Sequence, residues 1–266
     1  MKKIRLDLLL TEKGMIESRN LAQRVIMAGE VRVNGEIADK PSAQVLESDE
    51  IIIKSLPRYV SRGGEKLDAA LRAFGFAQIN GKVCADVGAS TGGFTDCLLQ
   101  HGAKNVFAID VGTGLLHWKL RNDPRVILME KTNARFIPEL PQKIELVTID
   151  ASFISLKTLI PVVKKWLMNG GVIIALIKPQ FEAGREISAH GKGVIRDSQV
   201  HLKVLKEIIL FAYDSDFEIK GIMASPINGP KGNREFLIYL SFPRHSQDNG
   251  EKIFERMILD NNQLGL

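Results

Sequence analysis

Between residues 82 and 242 the sequence switches repeatedly between two periodicities, and this alternation limits the possible folds more than any other feature. Seven runs rich in branched and aromatic residues read as strands: KVCADVG (82–88), NVFAIDV (105–111), RVILME (125–130), IELVTID (144–150), GVIIALIK (171–178), FEIKGIMAS (217–225) and REFLIYLSF (234–242). Between most of them lie amphipathic stretches at helical spacing: FTDCLLQHG, SLKTLIPVVKKWLMNG and SQVHLKVLKEIILFAY. Helices that separate strands imply βαβ units and a mostly parallel sheet. The last two runs are joined by SPINGPKGN, which is too short for a helical crossover, so they must pair antiparallel.

An α/β fold with a seven-stranded, mostly parallel sheet ending in an antiparallel hairpin is the Rossmann-like sheet of class I methyltransferases. A dinucleotide-binding sheet more often ends parallel. The glycine loop after the first strand agrees. DVGASTGG (86–93) places glycines at 88, 92 and 93, which is neither GxGxxG nor GxxxxGK[ST]. What remains is a strand ending in Asp86, the turn Gly88-Ala89-Ser90-Thr91-Gly92-Gly93, and a helix beginning near Phe94. About 20 residues on, the second strand ends in Asp110, whose carboxylate can accept both hydroxyls of an adenosine ribose. Asp86 would repel a pyrophosphate, so S-adenosylmethionine is the expected cofactor. Asn133, after the third strand, is a candidate for the adenine region.

Residues 4–29 carry apolar positions at helical spacing, with Leu6, Leu9 and Leu10 in one set and Leu21, Ala22, Val25 and Ile26 in another. GMIESRN lies between them, with a break at Gly14 and an N-cap at Ser18. Short alternating bursts follow, VRVNGEI and EIIIK, with Asn34-Gly35 as a hairpin signal. The stretches RLDLLL and SRNLAQRVIMAGEVRVNG resemble the S4 RNA-binding domain, which implies that residues 1–56 bind RNA. Twelve of the chain's 36 Lys and Arg residues fall in residues 1–66 (Lys2 among them), and the net charge is +5. Arg5, Arg19, Arg24 and Arg32 are the candidate phosphate contacts. SLPRYVSRGG, with a proline, two glycines and no periodicity, reads as a linker over 57–64. The larger domain is expected over 65–266.

Open α/β sheets bind ligands at the carboxyl ends of their strands. Asp150 ends the fourth strand in TIDASFISL and Lys178 ends the fifth in ALIKPQFEAG, where an unpaired lysine would be costly. Glu235 opens the last strand in GNREFLIYL, and Lys66 sits just before the first core helix in SRGGEKLDAAL. A ribose 2′-hydroxyl is a weak acid, and a lysine tuned by carboxylate neighbours can orient its oxygen and offset the charge that develops there.

YVSRGGEKL, DVGASTGGFTD, IDASFISL, IKPQFE and NREF resemble, in order and over essentially the whole chain, the TlyA (hemolysin A-like) rRNA methyltransferases, whose catalytic half is FtsJ-like. The resemblance places that family's catalytic Lys-Asp-Lys-Glu tetrad on Lys66, Asp150, Lys178 and Glu235. It implies 2′-O-methylation of cytidine in ribosomal RNA, with rRNA or ribosomal subunits as partners. Many FtsJ-type enzymes carry a proline in the glycine loop where this chain has Ser90-Thr91, and some relatives have a tryptophan in the linker where Tyr59 stands.

Two other functions compete with this one. A membrane-active hemolysin would need an inserting segment, and no run of about 18 apolar residues occurs. A non-catalytic RNA-binding factor would not need the four charged residues. The N-terminus is too short and too charged for a signal peptide, and Cys84 and Cys97 are the only cysteines, so a reducing cytoplasm is expected and no membrane partner. A monomer is expected. The five histidines lack metal-ligand spacing, so no metal is expected. Phe153 and Phe181 flank the strand ends, where they could stack on a base, and HGKGVIRD (190–197) is a glycine-basic loop.

Overall fold

The computed structural model describes residues 3–76, 79–184, 193–229, 231–259 and 264. Lys2 and the first three residues of the HGKGVIRD loop, His190, Gly191 and Lys192, lie outside the described residues. The chain divides into two compact units, Met1–Arg58 and Tyr59–Leu266.

The first unit runs β1 (Lys3–Arg5), α1 (Leu6–Glu12), α2 (Arg19–Met27), β2 (Val31–Val33), β3 (Glu36–Ala38), β4 (Gln44–Leu46) and β5 (Ile51–Ile53). Both helices bury the faces that their spacing predicts: Leu6, Leu9 and Leu10 pack with Ala22, Val25 and Ile26 in one core. Ser18 caps α2 by accepting the Leu21 N–H. Asn34-Gly35 forms the turn between β2 and β3, with Val33 opposite Glu36. The strands form a three-stranded sheet in the order β3-β2-β5 and a separate β1-β4 pair.

The second unit begins with α3 (Gly63–Ala73) and continues through β6 (Val83–Val87), α4 (Gly93–Gln100), β7 (Asn105–Ile109), α5 (Trp118–Arg121), β8 (Val126–Met129) and β9 (Ile144–Ile149). It then runs through α6 (Leu156–Lys164), β10 (Leu167–Ile177), α7 (Pro179–Glu182), the long helix Ser198–Asp214, β11 (Glu218–Ala224), β12 (Phe236–Ser241) and a helix over Gly250–Leu259. All seven expected strands join one sheet, in the order β11-β12-β10-β9-β6-β7-β8. β12 is antiparallel to both β10 and β11, and the pairs from β10 to β8 are parallel. Apolar clusters cover both faces. One is built around α6, the long helix Ser198–Asp214, Trp166 and Phe217, the other around α3, α4 and Tyr59.

Two element boundaries differ from expectation. Lys66 lies inside α3 rather than before it, because the helix starts at Gly63 within the stretch read as a linker. Tyr59 is only 3% exposed, and a Cβ on Gly64 would meet its ring at 2.3 Å, so a bare glycine lets the helix start against the aromatic ring. WLMNG, read as the end of a helix, instead opens β10 at Leu167. Trp166, two residues beyond the end of α6 at Lys164, is buried there and its indole N–H donates to the Ile137 carbonyl.

Candidate active site

The site is assembled where the parallel strands end. β6 leads directly into the glycine loop, and Gly88 adopts φ +85°. A Cβ on Gly88 would stand 2.8 Å from the Asp150 carbonyl oxygen, so the exit of β9 passes directly over the loop. The Asp150 N–H in turn donates to the Val87 carbonyl at 2.9 Å.

Asp150 and Lys178 leave adjacent strands side by side, with the Lys178 Nζ 2.6 Å from the Asp150 Oδ1. The same ammonium donates to the Ser152 Oγ at 3.2 Å. Lys66, at the end of the first turn of α3, places its Nζ 2.6 Å from the Glu235 Oε2, and both side chains are buried. Glu235 immediately precedes β12, yet it joins residues at strand ends because β12 runs antiparallel and presents its amino end at this edge. All four residues line one cleft of about 700 Å³, together with Gly88, Ala89, Ser90, Thr91, Gly93 and Phe94. Each ammonium is matched to a carboxylate, which is the condition for holding charge in a largely dry wall.

Phe153 follows Asp150 by three residues at φ +63° and is 90% exposed on the cleft rim. Its ring centroid lies 4.9 Å from that of Phe181. Glu182 in α7 accepts from the Ser155 hydroxyl and the Leu156 N–H, which ties the start of α6 to the residues that follow Lys178. Burial raises its pKa against these donors.

Other expected site residues are placed differently. Asp86 is fully buried beneath the loop and does not line the cleft. The hydroxyls of Thr95 and Thr148 donate to it at 2.7 and 2.9 Å, and burial pushes its pKa up to about 7 despite them. Asp110 also stays out of the cleft lining. Its carboxylate accepts from the Ser90 N–H at 2.8 Å and the Gly112 N–H at 2.7 Å, pinning the glycine loop to the turn after β7. Gly92 packs against Leu116 and Leu120. Asn133 caps a short turn by accepting the Arg135 N–H. His101 lies 3.3 Å from Asp68 and beside Cys97, away from the cleft.

In the first unit, Arg5 and Arg19 do not simply face solvent. Both donate to Asp7, a fully buried carboxylate that also accepts from Gln23. The Arg5 guanidinium holds the Asp7 carboxyl well below the usual range, and Gln23 and Arg19 add to the effect. Arg24 is exposed, and Arg32 donates to the Gly35 carbonyl.

Residues 59–242 match the FtsJ-like methyltransferase family, and residues 4–51 match the S4 domain. A Bacillus subtilis protein, YqxC, is 47% identical over 265 residues, 97% of this chain and 92% of its own. The 16S/23S rRNA (cytidine-2'-O)-methyltransferase TlyA of Mycobacterium tuberculosis is 41% identical over 243 residues, 90% of each chain. The chain belongs to the TlyA family of FtsJ-like methyltransferases. A solved structure from Streptococcus thermophilus superposes with a TM-score of 0.74 at 42% identity, covering 100% of this chain and 98% of its own.

Several cleft residues escaped the sequence reading: Ser61, Arg62, Ser152, Gln180, Asn228 and Asn233. Asn233 had a signal, since an asparagine two residues before Glu235 shares its face on an extended strand. In the structure it is 4% exposed, its amide donating to the Gly193 carbonyl and accepting the Ile195 N–H.

Proposed function

We propose that this chain methylates the 2′-hydroxyl of a cytidine ribose in ribosomal RNA, in the cytoplasm, using S-adenosylmethionine. Residues 1–58 serve as the RNA-binding module and 59–266 as the catalytic one. The observation that carries this reading is the pair of lysine–carboxylate contacts in one cleft with the glycine loop. It is supported by the M. tuberculosis TlyA, whose name specifies that reaction.

The cleft fits the cofactor. Its volume lies within the range of small-molecule sites. Gly93 and Phe94, which open α4, line it and offer a helix amino end suited to the methionine carboxylate. Phe94 supplies apolar surface, and Asp110 holds Ser90 and Gly112 where they shape the loop. When bound, the cofactor supplies an electrophilic methyl group on a sulfonium.

The chain's own residues do the rest. Lys178 donates to the 2′-oxygen, fixing it for in-line attack and offsetting its developing charge. Asp150 and Ser152 hold the Lys178 ammonium in that direction, and the Asp150 carboxylate takes up the hydroxyl proton as the carbon–oxygen bond forms. The Lys66–Glu235 pair closes the opposite wall and keeps α3 against β12. Phe153 stacks on the base of the target nucleotide. The test is a map of ribose methylation across rRNA from cells with and without the gene, paired with transfer of labelled methyl by the purified protein. An identical map, with no transfer to rRNA or subunits, would refute the reading.

A further inference from the structure

A second cavity of about 570 Å³ adjoins the catalytic cleft and shares Asn228 with it. Its walls are polar and basic, including Arg196, Arg234, Ser198 and Ser225. The two cavities meet at the residues that lead into β12: Asn233 and Glu235 line the catalytic cleft, while Arg234, between them, lines the second cavity. Arg234 is therefore a single peptide unit from a tetrad residue, on the other side of the same wall. Burial lowers the pKa of His201, also in this cavity, and its Nε2 lies 3.2 Å from the Ile195 carbonyl, so the positive charge comes from the two arginines. The amino end of the 17-residue helix Ser198–Asp214 adds to it. Asp197, at the start of that helix, accepts the Gln199 N–H as its cap.

We propose that this cavity holds the backbone phosphate of a nucleotide flanking the target ribose, with Arg196 and Arg234 as its ligands. The proposal rests on the ribose-methylation reading and deepens it, assigning a path for the RNA strand from the catalytic cleft past Asn228. Arginine forks suit phosphate oxygens, and a contact so close to the tetrad would set which ribose reaches Lys178.

The test uses full-length Arg196→Ala, Arg234→Ala and the double variant, with rRNA extracted from cells lacking the gene. Binding is measured against salt, and methyl transfer in parallel. Each alanine should reduce the log–log salt slope by about 0.7. The double variant should raise KM for RNA about tenfold or more, with kcat and calorimetric cofactor affinity unchanged. The lysine variants at both positions, which keep the charge, should retain the slope, so a fold defect in the alanine variants cannot imitate the result. Arg256→Ala, on the last helix, is the silent control. Unchanged slope and KM in the double variant overturn the proposal. So does protection by inorganic phosphate that is lost in Arg234→Ala while RNA affinity stays constant, since the cavity then takes a free anion. If the wild-type chain transfers no methyl, the ribose-methylation reading falls instead, and the salt slope alone decides the phosphate site.

Discussion

Replacing Lys178 with alanine separates catalysis from stability, because the two lysine–carboxylate pairs are buried to different degrees. The Asp150 side chain is 24% exposed, so after loss of its 2.6 Å partner it can be hydrated from the cleft. Glu235, at 1% exposure, has no such recourse if Lys66 is removed. Lys178→Ala should therefore leave the melting temperature and cofactor affinity nearly unchanged. Its effect on the chemical step should be large, since the ammonium's contact with the 2′-oxygen strengthens as that oxygen becomes anionic. A positioned group of this kind is worth about 10²–10⁴ in rate, or roughly 3–5 kcal/mol at 1.36 kcal/mol per tenfold. Lys178→Arg should not rescue, because a guanidinium is larger and presents a planar fork in place of a compact point charge. Lys203→Ala, on the long helix Ser198–Asp214, is the silent control. The assay is single-turnover methyl transfer to rRNA at saturating cofactor. A wild-type rate constant in folded Lys178→Ala would refute the assignment of the developing charge to Lys178.

Glu235→Ala leaves the Lys66 ammonium buried without its partner and should cost about 3–5 kcal/mol in denaturant unfolding, well beyond the cost of Lys178→Ala. Asp110→Ala should weaken S-adenosylmethionine binding at least tenfold by calorimetry, here by releasing the Ser90 and Gly112 N–H groups, and unaltered affinity would remove Asp110 from any role at the loop. Asp86 has a folded-state pKa of about 7, above its unfolded value, so it binds a proton in the folded chain that the unfolded chain has released. Its contribution should make stability fall as pH rises from about 4 to about 7 and then level off, and Asp86→Asn should flatten that part of a melting-temperature profile. Arg19→Ala should lower the salt slope of RNA binding by about 0.7 and also destabilise the first unit, because Asp7 loses a donor; a pure phosphate contact would change only the slope.

The fold was legible where periodicity and connection length decide the outcome. Seven strands and the antiparallel last pair follow from residues that must alternate or run continuously apolar, and from a nine-residue link that no helix fits. Boundaries set by one distant contact were not legible. Nothing local in SRGGEKL says that the Tyr59 ring will lie against Gly64, and nothing in KKWLMNG says that the Trp166 indole will find the Ile137 carbonyl 29 residues away. In both cases a tertiary partner overrode local glycine or helix preference.

The site was legible for a related reason, and failed for the same one. Charged residues at the ends of apolar strands stand out because they must be matched at the sheet edge, and Asp150, Lys178 and Glu235 do meet in one cleft. Asp86 is also a charged residue at a strand end, yet it turns beneath the loop toward Thr148, 62 residues on in the sequence. The difference lies in the charge to be matched. Two hydroxyls, one from α4 and one from β9, can satisfy a carboxyl group whose pKa burial raises, whereas a lysine ammonium such as Lys178 needs a carboxylate to match its charge, and that carboxylate is at the edge. The same reasoning applies to the first unit. Asp7 reads as an interruption in an apolar helix, but a buried carboxylate needs several donors, and Arg5, Arg19 and Gln23 converge on it. Two arginines that sequence reasoning assigns only to RNA therefore have a second task. They hold the fold of the module that presents them, which couples its RNA affinity to its stability.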